Sequence, residues 1–151
     1  MYSFRCAQAQ DLNAIIRLLA DDPLGATRES TNDDQAECYR NAFQRIEADP
    51  NNDVIVAERE GVVVGCLQLT IIPNLSRSGT TRAQIEGVRI AASERGQGLG
   101  KQLMDWTITE ARQRDAGIIQ LTTDKSRADA YRFYESLGFV ASHEGMKMVL
   151  E

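Results

Sequence analysis

Histidine is almost missing from this chain. His143 is the only one, so metal sites built on several imidazoles are excluded, and a Ser-His-Asp relay would rest on one residue near the C-terminus. Cys6, Cys38 and Cys66 are odd in number, far apart and without a C-x-x-C pair, which argues against a disulfide framework or structural zinc and for three reduced thiols. Long apolar runs are lacking too. No segment approaches about 18 uncharged apolar residues, and Arg5, Asp11 and Arg17 interrupt the first apolar stretch, so neither a membrane span nor an export signal is read. Basic residues are in deficit, 17 Lys and Arg against 22 Asp and Glu for a net charge of −5, and no long basic run appears. Nucleic acid and anionic membranes are therefore poor partners, and a cytoplasmic location is expected.

What remains is sized for one domain, residues 1–151, around one core: 151 residues of which 42% are hydrophobic. Tyr2 to Ala7 suits an opening edge strand. Leu12, Ile15, Ile16 and Leu19 then form one helical face that stops before Asp22-Pro23. Thr31 with Asp34 reads as a capping box for a second helix carrying Ala36, Tyr39, Phe43 and Ile46. Val54 to Glu58 and Val62 to Ile72 are β-branched runs joined by a hairpin turn at Arg59-Glu60-Gly61, and Thr81 to Ile90 makes a third consecutive strand after the loop Asn74 to Thr80.

The next helix carries two apolar ridges, Leu99, Leu103 and Trp106 beside Met104, Ile108 and Ala111, and Gly117 is expected to stop it. Ile118 to Thr122 is a short apolar strand; strand, helix, strand here implies a parallel pair at the centre of a mostly antiparallel sheet. Ser126 and Asp129 repeat the capping pattern, Ala130, Phe133, Tyr134 and Leu137 set the last helical face, and Gly138 ends it. Phe139 to Ser142 and Met146 to Leu150 are expected to close the sheet as a hairpin. The order is β-α-α-β-β-β-α-β-α-β-β, an α/β (α+β) class with helices flanking a mixed sheet.

Between the third strand and the following helix stands Arg95-Gly96-Gln97-Gly98-Leu99-Gly100. Glycines at such a junction let main-chain N–H groups crowd around an anion, and the helix N-terminus adds partial positive charge. A P-loop is excluded because Arg95 and Gln102 stand where it needs a glycine and a hydroxyl, and a dinucleotide fingerprint because the glycines alternate strictly. What fits is R-x-x-G-x-G, and the chain resembles the GCN5-related N-acetyltransferases over nearly its whole length, with sharp motifs from about Gln84 to Phe139.

The resemblance implies acetyl-CoA as co-substrate without a metal, held by N–H groups of Gln97, Gly98, Gly100 and Lys101 with Arg95 adding charge, and by main-chain groups of Val88 and Ile90 that pair with the pantetheine arm. The coenzyme-contacting set it implies is Val88, Arg89, Ile90, Arg95, Gly96, Gln97, Gly98, Leu99, Gly100, Lys101, Arg127 and Tyr134. An alkylamine of pKa ~10.4 is only about one part in 10³ neutral at pH 7, so a base is required. By family position it is Glu86, nine residues before Arg95; strand alternation puts it on one face with Val88 and Ile90 unless a bulge shifts the parity. A plain solvated strand carboxylate, or a salt-bridge partner for Arg89, is the alternative.

Phe133-Tyr134-Glu135-Ser136-Leu137-Gly138-Phe139 matches the family's segment whose tyrosine protonates the leaving thiolate, although Tyr134 also fits a core position. Two positions depart from the usual spelling: Ala92 replaces a common proline and Arg127 a common asparagine, placing a cation where it would meet a coenzyme phosphate. No cysteine matches a position at the glycine loop, so direct transfer in a ternary complex is expected.

The acceptor class stays open. Asp21, Asp22, Glu29, Asp33, Asp34 and Glu37 argue for a cationic amine or for nothing beyond a solvated face, while Arg77, Arg82 and Arg89 argue for a carboxylate or phosphonate. Ser126 to Tyr134 resembles small-molecule acetyltransferases such as those acting on aminoalkylphosphonates. The implied partner is a small amine; a non-catalytic acetyl-CoA sensor, or an enzyme acting on protein lysines or N-termini, are the other readings. Relatives often form homodimers, and the closing hairpin offers an edge for one.

Overall fold

The computed structural model describes residues 1–30 and 36–151. The Thr31–Asp34 capping box, and Asp33 with it, lies outside the described residues. One five-stranded sheet organises the chain in the order β1 (Ser3–Cys6), β2 (Asn52–Arg59), β3 (Val62–Ile72), β4 (Arg82–Ile90), β5 (Ile118–Leu121). The first four strands are antiparallel neighbours and β4–β5 is the parallel pair. Glu60 at φ 51° and Gly61 at φ 77° make the tight β2–β3 turn, both central residues left-handed as a two-residue hairpin loop requires.

Strand alternation sends two sets of apolar side chains to opposite faces. Val56 and Cys66 meet Ile15 and Leu18 of α1 (Leu12–Ala20). Ile55, Leu67, Leu69, Ile71, Ala83 and Ile85 meet Leu103, Met104 and Ala111 of α5 (Leu99–Gln113). Between α1 and β2 lie the single turn α2 (Gly25–Arg28) and α3 (Ala36–Ala48), whose Phe43 is buried. The single turn α4 (Ser76–Gly79) precedes β4, with Arg77 and Ser78 left-handed, and α6 (Ala128–Ser136) follows β5. Among the described residues no helix is long and apolar enough to cross a membrane.

Three local expectations change. The helix α5 stops before Gly117, at Asp115 (φ 63°), where Asp115 N–H donates to the Arg112 carbonyl and Ala116 N–H to that of Ala111. Gly117 is there for clearance, since a Cβ on it would lie 2.9 Å from Thr80 Cγ2. The turn before α6 is built by Asp124, whose carboxylate accepts from Ser126 N–H and Oγ at 2.9 and 2.7 Å; Arg127 is the N-cap and makes no side-chain cap.

The closing hairpin is not in the sheet. Residues 139–151 run as irregular chain, with Val140, Met146, Met148, Val149 and Leu150 all more than 80% exposed. A hairpin there needs a strand to pair with, and the outer edge of β5 is not taken by these residues.

Candidate active site

β4 and β5 pair from Arg82–Ile118 to Ile85–Leu121 and then part, because β5 ends while β4 continues to Ile90. Beyond Ile85 the edge of β4 is open. Ala91 N–H donates to the Val64 carbonyl at 2.8 Å, and antiparallel alternation from that bond turns the N–H and C=O of Ile90 and Val88 away from β3, into the opening. The Val88 carbonyl accepts from the Arg89 guanidinium at 2.9 Å, and that of Ile90 from Arg95 Nε at 3.2 Å.

A bulge sits in this stretch. Cys66 opposes Arg89 and Gln68 opposes Glu86, so two steps on β3 match three on β4, with Gly87 at φ 63° taking the extra residue. The bulge shifts the parity, so Glu86 does not share a face with Val88 and Ile90. Opposed residues project to the same side, so Glu86 and Arg89 both stand on the α1 face with Cys66 and Gln68, while Val88 and Ile90 pack on the α5 side. Glu86 is exposed and forms no pair with Arg89.

That face is polar along four strands. Asn52 Oδ1 accepts from Gln68 Nε2 at 3.0 Å and Thr70 Oγ1 at 2.8 Å. Gln120 donates to Gln84 Oε1 at 2.8 Å and accepts from Arg82 at 3.2 Å; Arg82 also donates to Ser76 Oγ at 3.1 Å. Among the described residues no carboxylate pairs with Arg82. Strand-period polar residues at 68, 70, 82, 84 and 86, on strands otherwise apolar, were the signal for this face.

The glycine loop closes the other side. Gly96 (φ 77°) and Gly98 (φ 83°) are left-handed, and a Cβ on either would meet nothing within 4 Å. Gly98 is the N-cap of α5, so the first main-chain N–H groups of that helix face the same space. Gly100 differs: it is helical, and its missing Cβ makes room for Phe133 of α6, at 3.3 Å from Cζ, with Ile90 Cγ1 at 3.9 Å. Loop, open strand and α6 thus meet at one point.

Leu99 offers only main chain, its side chain being buried with Ala57 and Val64. Gln97 Nε2 donates to the Ser93 carbonyl at 3.1 Å, and Lys101 pairs with Asp105 at 2.7 Å. Arg95 spans to the Asp21 carbonyl at 3.4 Å, bracing the end of α1. Below the loop, the buried Glu94 carboxylate accepts from Tyr2 at 2.6 Å and from Arg59 at 3.1 Å, anchoring the turn after β4 to the far edge of the sheet.

Asp22 is the node that sequence reasoning missed. Its carboxylate pairs with Arg89 at 2.9 Å and Arg127 at 3.1 Å and accepts from Gly25 N–H, tying the end of α1 to β4 and to the start of α6. Burial pushes that carboxyl up, but the N–H and the two guanidiniums outweigh it and hold it below its ordinary range. Arg127 and Arg89, expected at the coenzyme, are thus held by Asp22.

Tyr134 is half-buried between the rings of Phe133 and Phe139, with centroids 5.3 and 6.0 Å away. Burial pushes its phenol up, against the pull of Arg89 and Arg127, so it stays a donor. Among the described residues nothing hydrogen-bonds its hydroxyl. Cys66, below the bulge, is pushed up to about 12 by burial and is no nucleophile.

The main-chain donors at Gly96–Gly98, the clear space above them and the open edge at Val88 and Ile90 suit a ligand with a diphosphate and an amide-bearing arm. Residues 12–139 match the model of the Acetyltransferase (GNAT) family. The chain belongs to that family. This acetyltransferase is 35% identical to the aminoalkylphosphonate N-acetyltransferase of Salmonella typhimurium over 71% of its own length and 69% of that protein. It is 31% identical to the glucosamine 6-phosphate N-acetyltransferase of Trypanosoma brucei brucei, over 97% and 94%. A crystal structure described as a transcriptional regulator from Bacillus halodurans C-125 superposes with a TM-score of 0.96 at 48% identity, covering 99% of this chain and all of that one. The acetyltransferase fold is therefore present, the family's donor is acetyl-CoA, and amines are its acceptors.

Proposed function

We propose that this acetyltransferase moves the acetyl group of acetyl-CoA to the primary amine of a small molecule by direct attack in a ternary complex. The observation that carries the reading is the meeting of the open β4 edge, the left-handed Gly96–Gly98 loop and α6 at the Gly100–Phe133 contact. When bound, the coenzyme supplies an activated thioester. The N–H groups of Gln97, Gly98, Gly100 and Lys101 would hold its diphosphate, and main-chain groups of Val88 and Ile90 its arm. The Val88 N–H would meet negative charge developing on the thioester oxygen.

Glu86, exposed on the polar face, takes the amine proton directly or through water. Tyr134, a protonated phenol beside two guanidiniums, returns a proton to the sulfur. The acceptor would carry a phosphate or phosphonate. Arg82 supports this, a half-buried guanidinium with no described carboxylate partner, on the face of Glu86. The acceptors named for the two relatives, an aminoalkylphosphonate and glucosamine 6-phosphate, support it as well. The reaction belongs in the cytoplasm, where cysteine thiols stay reduced.

The test is thiol release from acetyl-CoA over a panel of aminoalkylphosphonates, amino-sugar phosphates, polyamines, amino acids and peptides, with calorimetry for acetyl-CoA itself. Turnover with the phosphorylated or phosphonylated amines is expected. Binding without turnover on any amine would make the chain a sensor, and no heat at millimolar acetyl-CoA would remove the coenzyme.

A further inference from the structure

The α1 face of the sheet changes character along β4. At the end near the glycine loop, β2 and β3 contribute Val56 and Cys66, both buried under α1. Towards the start of β4 the cross-strand rows turn polar. Gln68 stands beside Glu86, then Asn52, Thr70, Gln84 and Gln120 form a line, and Arg82 follows between Ile72 and Ile118. Charge stands at the two ends of this strip, a carboxylate and a guanidinium four residues apart on one strand, with Cα atoms about 13 Å apart. The row between them is neutral.

That row is hydrogen-bonded but not saturated. Gln84 Oε1 accepts from Gln120 at 2.8 Å, whereas Gln84 Nε2 reaches only the adjacent Ile85 carbonyl, at 3.5 Å. Gln68 Nε2 and Thr70 Oγ1 both donate to Asn52 Oδ1, and among the described residues nothing donates to Gln68 Oε1 or to Thr70 Oγ1. Arg82 repeats the pattern, its Nε buried with no hydrogen-bond partner among the described residues. Half-buried amides and hydroxyls with uncommitted capacity favour a ligand that completes them over one that covers them with hydrocarbon.

We propose that the acceptor is a polyhydroxylated amine phosphate, of the amino-sugar phosphate class, whose amine meets Glu86, whose phosphate meets Arg82 and whose hydroxyls are bonded in between by Gln68, Thr70 and Gln84. This rests on the phosphate-bearing acceptor and on Glu86 as base, both proposed above. An alkyl chain between the same two ends would satisfy the charges and leave the neutral row unpaired.

Glucosamine 6-phosphate and 5-aminopentyl phosphate separate amine and phosphate by the same number of atoms and differ in their hydroxyls. Calorimetry on the enzyme loaded with CoA should show about 100-fold tighter binding of the sugar phosphate, as two or more added hydrogen bonds imply. Thr70→Val and Gln84→Leu remove hydrogen-bonding atoms while keeping side-chain shape, and each should narrow that ratio about tenfold. Because both probes carry phosphate, a disturbance of Arg82 would weaken them together and leave the ratio as it was. Equal affinities in the unaltered enzyme, or an unaltered ratio in both variants, would overturn the inference while leaving the phosphate-bearing acceptor in place. No binding of either probe, with thiol release on amines that lack phosphate, would remove that acceptor reading and this inference with it.

Discussion

Phe133 rests on Gly100, with 3.3 Å between its Cζ and the point a Cβ would occupy. Gly100→Ala gains about 1 kcal/mol of helix propensity and loses a comparable amount to the crowding, so thermal stability should hardly move. The ring must still shift by a few tenths of an ångström, and Tyr134 is the next residue on that helix. The expected outcome is a several-fold fall in kcat at unchanged Tm, and Gly100→Leu should lose acetyl-CoA binding in calorimetry.

Tyr134→Phe keeps both ring contacts and removes only the hydroxyl. We expect kcat to fall about 100-fold, at the lower end for general acid catalysis, with KM for acetyl-CoA within about twofold. An unchanged kcat in steady-state thiol release would assign Tyr134 to packing alone.

Glu86→Gln should be most harmful at neutral pH. The acceptor amine, of pKa near ~10.4, sheds its own proton as pH rises, so a loss of about 100-fold at pH 7 should shrink towards pH 10. A mutant profile parallel to that of the unaltered enzyme would remove the base role.

Asp22→Asn leaves Arg89 and Arg127 without their carboxylate in a largely buried setting and should cost about 2 kcal/mol at pH 7, below the range for fully buried pairs because Arg127 is partly exposed. The folded-state pKa of Asp22 lies below its unfolded value, so its contribution is complete above about pH 4 and is lost as pH falls through the lower folded value. Urea titrations of the two proteins should differ at pH 7 and converge in acid.

Cys66→Ala should turn over normally. The thiol is pushed up to about 12 and donates weakly to the Gly87 carbonyl at 3.8 Å, so it contributes packing and no chemistry. A stability loss of about 1–2 kcal/mol with kcat intact is expected; a dead enzyme would reopen an acyl-cysteine route.

The helical and strand periods made β2, β3, α3 and α5 legible, because their apolar residues recur at the spacing each element imposes. The glycine loop was legible through its spacing. Gly100 was not separable from Gly96 and Gly98 in that string, since only the three-dimensional contact with Phe133 tells a packing glycine from a left-handed one. The parity of Glu86 depended on Gly87, and a bulge has no period to betray it. Asp22 joins Arg89 and Arg127 from 67 and 105 residues away, a distance over which a sequence pattern carries no pairing. The closing hairpin failed for a related reason: alternation announces that residues 146–150 suit a strand, never whose strand they accompany.

The Gly87 bulge divides one strand between two clients. Ahead of it β4 shows a carboxylate to the layer of α1; past it the same strand turns an edge free of any neighbouring strand towards the glycine loop. On the proposed reading donor and acceptor would enter from separate sides of that strand, and initial-rate plots for the two should intersect instead of running parallel.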